Sequence, residues 1–173
     1  MRSANFTTAR LSVRSWQPVI TDKAARRALE ASLARILTRP VLQHLPPPLH
    51  LDDPEGVSSW VDARAEESEL LLIEGKGSRD LVGLMILASD PDFAETPTIH
   101  VGYLLAETLW GQGLATELMQ GFVSAVKNDG PLRLVGGVDK GNPASARVLQ
   151  KAGFGLEPER SPPDSDMYVL DID

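Results

Sequence analysis

The chain contains no cysteine. Disulfides, thiolate metal sites and a cysteine nucleophile are excluded together, and the absence is compatible with a reducing compartment. Long apolar runs are missing too. The longest, LVGLMILA at 81–88, falls well short of the ~20 residues that cross a bilayer. The opening MRSANFTTARL holds no apolar stretch of signal-peptide length, so a cytoplasmic protein with no membrane partner is expected. Positive charge is the minority sign: 17 Lys and Arg against 24 Asp and Glu give a net charge of −7. Such a surface repels phosphate backbones and anionic lipid, and no nucleic-acid partner is expected. Gly-Lys-Ser and Gly-Lys-Thr occur nowhere, which removes the Walker phosphate loop.

What remains is an ordinary globular composition. With 173 residues, 42 % hydrophobic and 24 % charged, the chain fits one domain over 1–173 with a substantial core. TARLSVRSW (8–16) alternates Leu11 and Val13 against Arg10, Ser12 and Arg14, the pattern of a strand that Pro18 ends. Residues 21–39 read as a helix capped by Asp22 or Thr21, with Leu29, Leu33, Ile36 and Leu37 on one face, and Pro40 as its stop. LPPPLHLDDP (45–54) reads as a stiff loop, with Pro46, Pro47 and Pro48 in polyproline conformation. A second amphipathic helix over 54–68 turns Val57, Trp60, Val61 and Ala65 inward.

LLLIE (70–74), a Gly-rich turn and LVGLMILAS (81–89) form a hairpin, and TIHVGYLLA (98–106) adds a strand. A long helix then runs to about Asn128, with residues 115, 118, 119, 122, 123 and 126 along one face. LRLVGGV (132–138) is a strand, and NPASARVLQKAG (142–153) a short helix stopped by Gly153. A hairpin from about Phe154 to Ile172 turns at SPPD. Strands in a meander, followed by strand–helix–strand, argue for a mixed sheet with helices on both faces.

One junction carries chemistry. LWGQGLATELM (109–119) places two glycines directly before a helix. A helix's first turn exposes unpaired N–H groups at the positive end of its dipole, and glycines let backbone approach a bulky anion. The N–H groups of Gln112, Gly113, Leu114, Ala115 and Thr116, with the Thr116 hydroxyl, are therefore candidate pyrophosphate donors. The dinucleotide fingerprint fits worse, because threonine stands at 116 where it needs glycine, and AETLW separates the glycines from the strand. A second cluster supports a small polyanion. GNPASARVLQKAGFG (141–155) opens a helix with the capping residue Asn142 and a proline. Ser145, Arg147 and Lys151 follow, and residues 127–151 hold five Lys/Arg against two Asp in an otherwise acidic chain.

Together, WGQGLATELM and GNPASARVLQKAGF resemble the acyl-CoA core of the GNAT N-acetyltransferases, and TARLSVRSW resembles the first strand of the RimJ/RimL-type branch. The resemblance runs from about Thr8 to Ile172. It implies an α+β fold: a mixed, mostly antiparallel sheet of about six or seven strands, splayed between the fourth and fifth, with helices on both faces. It implies acetyl-CoA as cosubstrate and no metal. Pantetheine would lie along the backbone of Val101, Gly102, Tyr103 and Leu104, with Gly102 at a bulge, and Asn142 would bond the same arm. Ser145 would lie near the thiol end or the cofactor backbone, and the charge of Arg147 and Lys151 suits the cofactor's anionic groups. Trp110 stands where the family often has Arg or Gln, so no side-chain cation comes from that position.

The implied chemistry is direct acetyl transfer to a primary amine, either a peptide or protein N-terminus or a small amine. His100 is the candidate base, on the strand before the glycine turn, since imidazole accepts a proton near neutrality; Glu107 is the nearest acidic alternative. A backbone N–H at or near Tyr103 would receive the oxyanion. The sulfur's proton would come from Ser145 or from solvent, as neither Tyr103 nor Tyr168 occupies the place of the family's usual tyrosine. The loops over 40–56 and 90–97 should shape the acceptor pocket, with Asp52, Asp53, Asp90, Asp92 and Glu95 attracting a cationic amine, whereas His44 and His50 are less clearly placed. Two other readings stay open: a non-catalytic acyl-CoA-binding regulatory module, and a nucleotide-binding protein of another fold. A monomer or homodimer is expected.

Overall fold

A computed structural model describes residues 5–51, 56–89 and 96–173. The strands are β1 (Phe6–Thr7), β2 (Leu11–Ser15), β3 (Glu69–Gly75), β4 (Leu81–Ser89), β5 (Thr98–Leu105), β6 (Leu132–Asp139), β7 (Gly155–Leu156) and β8 (Ser165–Ile172). They form one sheet in the order β1-β2-β3-β4-β5-β6-β8-β7. Every pairing is antiparallel except β5 with β6. The count of eight exceeds the expected six or seven because the two-residue β1 folds back on β2. The helices are α1 (Gln17–Thr21), α2 (Lys23–Ile36), α3 (Arg39–Leu42), α4 (Val57–Glu67), α5 (Leu114–Val126) and α6 (Pro143–Lys151).

Two apolar clusters sandwich the sheet. Leu71 and Ile73 of β3 join Met85, Leu87, Val101 and the inner faces of α5 and α6. The alternate residues Leu70 and Leu72 join Leu84, Ile86, Leu104 and the faces of α2 and α4. An apolar run such as LLLI suits a strand covered on both sides. α5 lies between β5 and β6 in the chain, the crossover that a parallel pair requires.

The ends of α2 follow its chemistry. The Asp22 carboxylate accepts from the N–H groups of Ala24 and Ala25 at 3.0 and 2.7 Å, and Leu29, Leu33 and Ile36 are buried. Three local expectations are corrected. Pro18 and Pro40 open the short helices α1 and α3, since proline without its N–H suits a first helical turn. Pro47–Leu49 forms a 3-10 turn instead of a continued polyproline segment, closed by the His50 N–H on the Pro47 carbonyl at 3.0 Å. On α4, Arg64 rather than Ala65 turns inward. Its Nη1 donates to the Pro48 carbonyl at 2.5 Å, Nη2 pairs with Glu67 at 2.8 Å, and the guanidinium lies 5.7 Å from the Trp60 ring centre. Trp60 Nε1 donates to the Leu49 carbonyl at 3.1 Å, so two side chains of α4 tie down the proline loop.

Candidate active site

β5 and β6 run together for three residues only. Thr98, Ile99 and His100 face Arg133, Leu134 and Val135, whereas β4 accompanies β5 from Ile99 to Leu105. From Val101 to Leu104, the backbone of β5 therefore has no strand partner on the β6 side. This is the expected splay; its flanking strands are the fifth and sixth once β1 is counted. No bulge occurs at Gly102, which pairs with Ile86 in unbroken register. The opening comes from the departure of β6, not from an inserted residue.

Past β5, a 3-10 turn at Glu107–Leu109 leads to Trp110, whose indole N–H donates to the Leu105 carbonyl at 2.9 Å. Position 110 thus closes the loop instead of supplying charge. Gly111 and Gly113 take φ of 75° and 76°, a region costly to any residue with a Cβ. A Cβ on Gly111 would meet nothing within 4 Å, so the turn is open on that side. The first N–H taken up by α5 is that of Glu117, on the Gly113 carbonyl at 3.1 Å. Those of Gln112, Gly113, Leu114, Ala115 and Thr116 have no acceptor among the described residues. All five candidate donors thus stand at one helix start, beside the mouth of the splay.

The other wall is α6. Asn142 accepts through Oδ1 from the Ser145 N–H at 3.1 Å, which leaves its NH2 group to meet a ligand. The Ser145 hydroxyl lies 3.1 Å from the Tyr103 hydroxyl, across the gap between α6 and β5. Burial pushes the Tyr103 phenol above its ordinary range, although the Ser145 bond pulls the other way. Tyr103 therefore stays protonated at neutral pH. Arg147 and Lys151 lie exposed on α6, and Gln120 of α5 donates to the Lys151 carbonyl at 3.1 Å.

His100 is the last residue of β5 paired with β6, at the vertex of the splay. Strand alternation puts it on the α2–α4 face with Leu104, whereas Tyr103 packs against the α5–α6 cluster. The candidate base and the Tyr103–Ser145 pair thus approach the gap from opposite faces. Glu107 is exposed beyond the end of the strand. The five acids expected to attract the acceptor, Asp52, Asp53, Asp90, Asp92 and Glu95, lie outside the described residues.

Two arrangements were not anticipated. His44, at the start of the proline loop, places Nδ1 3.8 Å from Asp139 Oδ1, at the end of β6 just before Asn142. More extensive is a clasp between the N-terminal segment and α5. Glu117 Oε1 accepts from the Thr8 hydroxyl at 2.5 Å and the Arg10 N–H at 2.8 Å, and Oε2 accepts from Arg10 Nε at 2.6 Å. Arg10 Nη1 donates to the Gln112 carbonyl at 3.0 Å. Burial raises the Glu117 carboxyl, but the bonds from Thr8 and Arg10 outweigh it and the net shift is downward. Alternation in TARLSVRSW reveals the strand; nothing in it reveals a partner 107 residues away. An open groove of about 410 Å³ runs behind this clasp, between Phe6–Thr8 and α5, away from the splay. Among the described residues, no cluster of His, Asp and Glu suited to a metal forms, and no helix is long and apolar enough to cross a membrane.

A family model described as the acetyltransferase (GNAT) domain matches residues 11–155. The chain belongs to this family and is an N-acetyltransferase. Among solved structures, it is similar to a GNAT-family acetyltransferase from Bacillus anthracis: 19 % identity, 97 % of both chains, TM-score 0.72. It is also similar to RimL, the ribosomal L7/L12 alpha-N-protein acetyltransferase, in complex with coenzyme A: 21 % identity, 96 % of both chains, TM-score 0.73. An acetyltransferase from Salmonella typhimurium that modifies the N-terminal serine of L7/L12 matches at 20 % identity over 96 % of this chain and 97 % of that one, with TM-score 0.67. No curated protein matches the sequence significantly. The family and the sheet order set aside a nucleotide-binding protein of another fold.

Proposed function

We propose that the chain transfers acetyl from acetyl-CoA to a primary amine in the manner of the RimJ/RimL branch, with a peptide or protein N-terminus, or a small amine, as acceptor. The observation that carries the reading is the juxtaposition of an open strand edge at 101–104 with five N–H groups at 112–116 that have no acceptor among the described residues. That set suits the cosubstrate: an amide-bearing arm pairs with a free strand edge, and a diphosphate with a helix start. Acetyl-CoA supplies the acetyl group as an activated thioester.

The chain's residues divide the remaining work. The edge of β5 and Asn142 orient the arm. Arg147 and Lys151 offer positive charge toward the cofactor's anionic end. Placing amine and thioester together supplies most of the acceleration. His100 takes the proton of the attacking amine, directly or through water, and a backbone N–H beside Tyr103 receives the charge that develops on the carbonyl oxygen. Ser145 donates to the departing sulfur as it takes the Tyr103 proton, and solvent returns a proton to Tyr103, whose phenol burial keeps neutral between turnovers. The solved relatives that modify ribosomal N-termini favour a peptide amine, and the net charge of −7 favours a cationic acceptor.

Thiol release from acetyl-CoA, measured across a panel of N-terminal peptides and small amines, tests the reading. Turnover with at least one class supports it; coenzyme binding with no turnover on any amine favours the regulatory module. In the His100→Gln variant, kcat/KM should fall by about 10²- to 10³-fold and lose its acid limb. An unchanged pH–rate profile removes His100 from the mechanism.

A further inference from the structure

The glycine turn does not set its own direction. Gln112 stands between two glycines of positive φ, the loosest backbone in the molecule's candidate site. Its carbonyl is held by Arg10 Nη1. In a trans peptide, C=O and N–H point opposite ways. Fixing the Gln112 carbonyl toward Arg10 therefore turns the Gly113 N–H away from Arg10, to the outer side of the turn. The same guanidinium grips Glu117 through Nε, so it spans the turn and the first turn of α5.

Charge strengthens the case. An acid in the first turn favours the helix, but Glu117 alone would repel an anion bound one turn away. Arg10 cancels that charge at 2.6 Å. Arg10 is itself anchored, although its side chain is half exposed. Its carbonyl accepts from the Lys76 N–H at 2.8 Å, and the preceding turn is closed by Thr8 N–H on the Leu11 carbonyl at 2.9 Å.

We propose that Arg10 is a positioning residue for the coenzyme's diphosphate: from the N-terminal segment, it orients the 111–113 turn and neutralises Glu117, so that the main-chain donors face the ligand. The segment TARL thus contributes to cosubstrate affinity from a distance of a hundred residues in sequence. This rests on the acetyl-CoA reading above.

The test compares acetyl-CoA with acetyl-pantetheine, which keeps the thioester and the arm but has no phosphate. In Arg10→Gln, KM for acetyl-CoA should rise about 10- to 100-fold, with kcat within about twofold and KM for acetyl-pantetheine unchanged. Arg10→Lys, with charge but no fork, should fall between. Glu117→Gln removes the charge that Arg10 offsets and keeps an oxygen for its Nε, so KM for acetyl-CoA should not rise, and the double variant should recover part of the loss seen in Arg10→Gln. KM for acetyl-CoA unmoved in Arg10→Gln, or both thioesters weakened together, overturns the proposal. If Arg10→Gln does not fold, the Arg10→Lys and Glu117→Gln pair decides by the same two-substrate comparison. A wild-type protein that uses neither thioester overturns the acetyl-CoA reading instead.

Discussion

Tyr103 and Ser145 illustrate how a side chain gains a role from its neighbour. Ser145 sits in the first turn of α6 because Asn142 caps its N–H. It faces Tyr103 because β5 turns residue 103 toward the α5–α6 cluster. A hydroxyl that gives up a proton needs a replacement, and the phenol is in place to supply it at 3.1 Å. Tyr103→Phe should lower kcat several-fold, in the range of one lost hydrogen bond of about 1 kcal/mol. The same change made in a Ser145→Ala background should do almost nothing further. Equal losses in both backgrounds, in steady-state kinetics, would show that the two hydroxyls act independently.

Among the elements, α5 depends most on a contact that its own sequence conceals. Gly121 sits mid-helix, where alanine is ordinarily better by about 1 kcal/mol. Here a Cβ would lie 2.6 Å from Thr8 Cγ2 and 3.0 Å from Phe6 Cε2. Thr8 cannot retreat without releasing Glu117. Gly121→Ala should therefore destabilise by about 1–2 kcal/mol, read as a lower urea midpoint; a rise would show that β1 yields freely.

The same elements show what the sequence could reveal. Helix α2, with its Asp22 cap and its buried Leu29, Leu33 and Ile36, was readable because cap and periodicity are local. The glycine turn and Asn142 were readable for the same reason. The inward turn of Arg64 in place of Ala65 was not readable, because a charged residue enters the interior only when a partner awaits it, here the Pro48 carbonyl of the preceding loop. His44 beside Asp139, and Arg10 on Gln112 and Glu117, are likewise meetings between separated segments. Periodicity along one segment carries no record of them. The strand β1 escaped because two residues offer no pattern to read.

At the scale of the whole molecule, the acidic chain keeps part of its stability in carboxylates held by cations. Glu117 is drawn below its ordinary range by Thr8 and Arg10, against the effect of burial. Asp171 of β8 is drawn down by its bond to Arg133 of β6. A group depressed in the folded state contributes stability that is full above its unfolded pKa and is lost as pH falls through the folded one. Glu117→Gln should thus be less stable than wild type at pH 7 by about 1–2 kcal/mol. The gap should narrow as pH drops below the usual carboxylate range near 4. Denaturant melts at a series of pH values check this; a gap constant down to strongly acid pH would mean that Glu117 contributes through packing alone.

The donors at 112–116 belong to the main chain, and every amino acid except proline carries the same N–H. Evolution can therefore rewrite much of this corner's vocabulary without changing its grammar, provided that the two left-handed positions and the brace behind them persist. Relatives sharing about a fifth of their residues with this chain keep its fold. Divergence of that depth is tolerable where, as proposed, recognition resides in peptide geometry, and the freedom it leaves falls on side chains elsewhere.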